Sequence, residues 1–261
     1  MKISRMKDNQ PLILVVNDDG ITSPGIKSLI EVVKEYGEVV VVAPDKPQSG
    51  MGHAITLDSI LSINKMEIEG VKAYACSGTP VDCVKIAVNK ILTRKPDLIV
   101  SGINHGSNSS INVIYSGTMS AALEGSLENI PSVGFSLLSH SIDADFSASK
   151  YYVRLLIKQL LSTSLPKGIC LNVNIPNVPQ ELINGIKVCR QAKGNWEEEY
   201  DERTDPMGRT YYWLTGKFVI DDKGEDTDEW ALKNNYISIV PIQHDITNHN
   251  VINDIKQLED A

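Results

Sequence analysis

The 261-residue chain has few cysteines and none in a paired spacing: Cys76, Cys83, Cys170 and Cys189 form no CxxC and no zinc-binding interval. That excludes a cysteine-based zinc module and predicts free, mostly buried thiols in a reducing compartment, the cytoplasm. Long hydrophobic runs are also missing. Nothing reaches the roughly 20 apolar residues that a membrane span needs. The short apolar run behind MKISRMKDNQ leads into NDDG rather than a small-residue cleavage site, so no secretory leader is expected. Positive charge is in deficit, 25 Lys and Arg against 33 Asp and Glu, for a net charge of −8. This disfavours general attraction to nucleic acid or to an anionic membrane surface, and an anionic ligand then needs a local positive site. Internal repeats and low-complexity tracts are absent, and the acidic stretch near residues 221–229 is expected as a solvated loop.

What is present reads as an ordinary globular chain, 42% hydrophobic and 22% charged, long enough for one large or two small domains. Apolar, β-branched runs occur at LILVV (12–16), VVVVA (39–43), DLIVSG (97–102) and SVGFSL (132–137). Continuous runs of this length predict strands buried on both faces of a parallel sheet. Between them lie helix patterns. SPGIKSLIEVVKEYG offers Ser23 as N-cap, Pro24 in the first turn, an apolar face of Ile26, Leu29, Ile30 and Val33, and Gly37 as a stop. TPVDCVKIAVNKIL repeats the pattern, with Thr79, Pro80 and Asp82 as an architectural helix start. The expected fold class is α/β, a Rossmann-like, doubly wound and mainly parallel sheet over residues 1–165. After a helix around 150–161, residues 166–261 read as a smaller, more antiparallel portion with strands near 171–176, 186–191, 209–216 and 235–242. Its hairpins and the tail VINDIKQLED (251–260) have apolar content that a second subunit could cover.

In open α/β sheets, ligands bind beyond the carboxyl ends of the strands. Asp18 and Asp19 follow the first run, Ser49 follows the second in APDKPQSG, and Asn104 follows a later one in SGINHG. One carboxylate would suffice as a helix cap. Two in succession repel, and with Ser49 and Asn104 beside them they fit a hard divalent cation with oxygen ligands, Mg²⁺ or Mn²⁺. In YSGTMSAALEGSLENI, Ser116, Gly117 and Thr118 stand at a helix start, which is either an ordinary cap or, beside a cation, an anion site. His53 and His105 are acid/base candidates by residue type, and His105 is the stronger as the neighbour of Asn104. Asn17 occupies the place where a haloacid-dehalogenase-type phosphatase carries its nucleophilic aspartate, and neither a GxGxxG nor a GxxxxGK[ST] loop occurs.

With these residues in view, the sequence resembles the SurE survival-protein nucleotidases. The matching stretches are NDDGITSPGI, VVAPDKPQSGMGHAIT, SGTPVDCVKIA, PDLIVSGINHGSN, YSGTMSAALEG, LNVNIP, DPMGRTYYWLTG and TDEWALKNNYISIVPIQHDIT, spanning roughly residues 12–247. The resemblance implies a divalent-metal-dependent phosphatase of nucleoside monophosphates, 5′ and also 3′, with a C-terminal part exchanged between subunits of a homodimer or homotetramer. It carries one Mg²⁺ or Mn²⁺ per subunit onto Asp18, Asp19, Ser49 and Asn104. It assigns substrate contacts to Ser116, Gly117, Thr118 and Gly50, and the reaction to Asp18 and Asp19. Met119 and PIQHDIT depart from the family pattern without touching a ligand position, and His105 falls at a variable one. A polyphosphatase, a sugar phosphatase and a non-catalytic nucleotide sensor are the alternatives.

Overall fold

The computed structural model describes residues 10–163 and 165–260. The leader reading of residues 1–9 lies outside them. Among the described residues, nine strands form one sheet in the order β3-β4-β2-β1-β5-β6-β7-β11-β8. These are β1 (Leu12–Val16), β2 (Glu38–Pro44), β3 (Ile63–Ile68), β4 (Val71–Cys76), β5 (Leu98–His105), β6 (Ser132–Leu137), β7 (Ile169–Ile175), β8 (Gly185–Val188) and β11 (Tyr236–Gln243). From β4 through β2, β1, β5 and β6 to β7 every pairing is parallel. β3 is antiparallel to β4, and β11 is antiparallel to β7.

The continuous apolar run of β1 has a direct cause. Ile13 and Val15 enter one core, with Ile26, Leu29 and Ile157, while Leu12, Leu14 and Val16 enter a second, with Cys83, Val84 and Ala121. Helices α1 (Pro24–Val33) and α4 (Ser147–Ser162) pack together, as do α2 (Pro80–Ile86) and α3 (Gly117–Leu127). The sheet is therefore covered on both sides, and each buried Leu, Ile or Val contributes about 1.5–3 kcal/mol of transfer free energy.

Two expectations about helix starts are refined. Thr79 and Asp82 form a reciprocal capping box ahead of α2. Ser23 precedes α1 in extended conformation without capping it, and its hydroxyl instead accepts from Asn17 Nδ2 at 2.9 Å. α1 ends at Val33, four residues before Gly37.

The sheet continues past residue 165, because β7, β11 and β8 extend it from β6. What stands apart in the second half is the antiparallel hairpin of β9 (Gly194–Thr204) and β10 (Thr210–Ile220). Tyr200, Tyr212, Trp213 and Leu214 on it are exposed, as are Ile255 and Leu258 of the tail. The stretch 221–229 is not simply a solvated loop. Thr227 caps α5 (Asp228–Lys233), and the buried Asp228 carboxylate accepts from the Ser110 and Ala192 amides at 2.8 and 2.9 Å. Among the described residues, no helix is long and apolar enough to cross a membrane.

Candidate functional site at the sheet switch point

Strand order reverses at β1, whose neighbours are β2 on one side and β5 on the other. The crevice at the carboxyl ends of β1 and β5 is therefore the topological switch point, where an α/β sheet opens a binding site. Asp18 and Asp19 follow β1 there, and Asn104 is the penultimate residue of β5. The turn after the aspartates is made by Gly20 at φ +93°, a conformation that a side chain would strain.

Asp18 is buried, and its Oδ1 accepts from Thr118 Oγ1 at 2.5 Å. Burial pushes this carboxyl up, the Thr118 hydroxyl pulls it down and the negative charge of Asp19 adds to the rise, for a pKa of about 6. The Thr118 backbone N–H also lies against the carboxylate. Asp18 therefore sits on the N-terminus of α3. Gly117 makes this approach possible, since a Cβ at that position would lie 2.7 Å from the Asp18 Cβ and 2.9 Å from its Oδ2.

Asp19 is held from the other side. Its Oδ2 accepts from the His105 backbone N–H at 3.1 Å and lies 3.0 Å from the His105 Nδ1. Asn104 donates through Nδ2 to the Gly106 carbonyl at 2.9 Å, which leaves its Oδ1 as an open acceptor. Ser49 and Gly50 are exposed on the loop after β2, where Gln48 N–H donates to the Asp18 carbonyl at 2.8 Å. Among the described residues, Ser49 makes no hydrogen bond to either carboxylate. Ser116 is the N-cap of α3, its hydroxyl accepting from Met119 N–H at 3.0 Å. Ser116 is thus a helix cap, and the Ser116 and Thr118 hydroxyls are both engaged inside the protein.

His53 lies elsewhere. Its Nε2 is 2.9 Å from Glu124 Oε2, and Lys85 Nζ reaches the same buried carboxylate at 2.6 Å. Burial pushes the Glu124 carboxyl up, but the His53 and Lys85 contacts outweigh it and hold it below the usual carboxylate range. Thr56 N–H and Oγ1 donate to Asp82 at 3.1 and 2.6 Å, and Thr79 Oγ1 donates to the Ala54 carbonyl at 2.7 Å. These contacts strap the loop that carries Ser49 onto α2 and α3. Sequence reasoning does not single out Glu124, although a lone carboxylate among the small residues of α3 is a usable signal.

A further feature, this one without a signal in the sequence, is a polar cluster behind the crevice. Asn108 N–H donates to Asn174 Oδ1 at 2.8 Å, Asn108 Nδ2 to Ser136 Oγ at 2.8 Å and Asn172 Nδ2 to the Asn108 carbonyl at 2.8 Å. Ser109 bonds Glu229 of α5. The loop after β5 is thereby tied to the C-terminal part of the sheet.

The donor chemistry fits a hard divalent cation. Two adjacent carboxylates, one of them buried and raised in pKa by burial and by its neighbour, each have one oxygen engaged by the protein, and Asn104 leaves a third oxygen open. Among the described residues, no three His, Cys, Asp or Glu side chains cluster as a metal nest, so a cation here would rest on two carboxylates and neutral oxygens. Beside the crevice lies a cavity of about 550 Å³ lined by Gly50, Tyr115, Trp196, Glu198, Leu214, Thr215 and Gly216. Gly50 and Tyr115 each adjoin a site residue in sequence. Trp196 is anchored through Nε1 to Asn112 Oδ1 at 2.8 Å and packs at 5.5 Å on Phe218.

Comparisons with known proteins place the chain in a family. The family model described as "Survival protein SurE" matches residues 13–198. A relative from Christiangramia forsetii, called 5′-nucleotidase SurE, is 60% identical over 253 residues, covering 96% of this chain and 97% of its own. One of the same name from Flavobacterium psychrophilum is 61% identical over 246 residues, covering 94% and 96%. The crystal structure of the SurE protein from Aquifex aeolicus superposes with a TM-score of 0.83 at 41% identity, covering 95% of this chain and 100% of that one. Matched along almost its whole length in sequence and in three dimensions, the chain belongs to the SurE survival-protein family.

Proposed function

We propose that this protein is a divalent-cation-dependent phosphomonoesterase that hydrolyses nucleoside 5′-monophosphates to nucleoside and phosphate, with water as nucleophile. The observation that carries it is the convergence of Asp18, Asp19 and Asn104 with the start of α3 at the switch point. The relatives named 5′-nucleotidase support the substrate class. Asp18, Asp19 and Asn104, with Ser49 on the strapped loop, would hold Mg²⁺ or Mn²⁺. Such a cation supplies Lewis acidity toward a phosphoryl oxygen and makes water more acidic.

The chain's own residues do the positioning. Thr118 anchors one oxygen of Asp18 and His105 one oxygen of Asp19, which fixes the place of both carboxylates at the crevice. The Gly117 N–H at the first turn of α3 faces developing negative charge with the helix dipole behind it. The cavity beside Gly50 and Tyr115 takes the nucleoside, with Trp196 and Tyr115 as aromatic surfaces for the base. Activity on 3′-nucleotides belongs to this proposal, on the strength of the family resemblance. So does a homodimer or homotetramer, which would cover the exposed hairpin and tail. The four free, buried cysteines favour a reducing compartment, the cytoplasm, and burial pushes the Cys170 thiol up to about 12, where it is unreactive.

The test is phosphate release from a panel of nucleoside monophosphates with Mn²⁺, with Mg²⁺ and with EDTA. Release that requires metal and is lost in Asp18→Asn is expected. Tight nucleotide binding without release, in the presence of metal, would favour a sensor instead.

A further inference from the structure

His105 directs two donors at one oxygen of Asp19, its backbone N–H at 3.1 Å and its ring Nδ1 at 3.0 Å. A carboxylate only accepts, so the proton of the ring is on Nδ1. Nε2 then carries a lone pair, and it is buried with no partner among the described residues. The ring stands edge-to-face on Phe146, with centroids 5.3 Å apart and planes at 84°. Phe146 is itself buried at the start of α4. A ring flip would exchange Nδ1 for a carbon and lose the contact with Asp19. The side chain is therefore oriented from behind by packing and in front by the carboxylate.

We infer that His105 is a positioning residue for Asp19, holding Oδ2 so that Oδ1 alone is presented to the cation. This rests on the cation site proposed above. A carboxylate with one oxygen pinned loses less orientational freedom on binding a cation than a free one does. Donors of this kind, standing behind a ligand, typically set metal affinity by 10–100-fold. The His105 backbone N–H donates to the same oxygen in any variant, so the ring is expected to contribute toward the lower end of that range. A purely structural role, joining the end of β5 to the loop after β1, would instead appear in stability and not in affinity.

The experiment is Mn²⁺ binding, followed by the loss of the free-ion electron paramagnetic resonance signal, with no substrate present. Four proteins are compared: wild type, Asp19→Asn, His105→Asn and His105→Leu. Asn and Leu are close in size, and Asn can place an N–H where Nδ1 stands, so the pair isolates the donor. His105→Leu should weaken Mn²⁺ about tenfold, and His105→Asn should stay within about threefold of wild type. Equal affinity in His105→Leu and wild type, or equal weakness in the two His105 variants, would overturn the inference while leaving the cation site standing, provided Asp19→Asn loses binding. Unchanged binding in Asp19→Asn would remove the cation site and this inference with it. His105→Phe, which keeps a ring against Phe146 without the donor, serves as the second loss variant, with the same expected weakening, should His105→Leu fail to fold.

Discussion

Asp18 makes the metal-free protein pay for its site, and the penalty can be measured. Its carboxyl pKa rises from 3.8 to about 6 on folding, through burial first, opposed by the Thr118 hydroxyl and reinforced by Asp19. The folded state therefore binds its proton more tightly than the unfolded state. Stability from this group falls as pH rises from about 4 to about 6 and stays low above that. A shift of about two units corresponds to about 3 kcal/mol at pH 7.5 without metal. Asp18→Asn removes the charge and keeps an oxygen to accept from Thr118, so it should stabilise the metal-free fold by about that amount. For a chain of this length the melting temperature should rise by about 6–12 °C. At pH 4 the gain should shrink to less than about 1 kcal/mol, because Asp18 is then protonated in the native state and nearly half protonated in the unfolded one. Saturating Mn²⁺ should close or reverse the gap, since it binds the wild-type native state and not the variant. Urea unfolding at pH 7.5 and pH 4, with EDTA and with Mn²⁺, reads all three effects. A variant no more stable than wild type at pH 7.5 in EDTA, or a gain that persists at pH 4, would refute the reasoning.

Gly117→Ala should cut phosphate release by about 100-fold or more, because the added Cβ meets Asp18 at 2.7 Å and the crevice tolerates little misplacement. Circular dichroism should show the variant folded. Trp196→Ala should raise KM for nucleoside monophosphates by about tenfold, the value of one aromatic stack. Hydrolysis of glycerol phosphate, which has no base, should be unchanged, and equal losses on both substrates would place Trp196 outside nucleotide recognition.

The central strands were legible because burial on both faces leaves an unbroken apolar run, and β1, β2, β5 and β6 carry one. The Thr79–Asp82 cap was legible because it is local in the chain. The hairpin of β3 and β4 was not, since it lies at the sheet edge with Asn64, Lys65 and Glu67 exposed, so no apolar face marks it. Strand β9 (GNWEEEYDERT) is exposed along nearly its whole length and is defined only by pairing with β10, a partner its own residues do not announce. The continuation of the sheet past residue 165 depends on strand order, which is a long-range property.

By itself the sequence determined the fold class, the adjacency of two carboxylates at a strand end and the residue types able to bind a cation and an anion, because local spacing and hydrophobic pattern encode them. It also carried the family resemblance. Only the tertiary structure decided how those oxygens are shared. Asp18 lies on the start of α3, 100 residues away in sequence, and Asp19 is held by His105, 86 residues away. Ser23 serves Asn17 instead of its own helix, and His53 serves Glu124. Each hydrogen bond of this kind is a choice between partners that the chain brings together only after the sheet has closed, and no local pattern can make that choice beforehand.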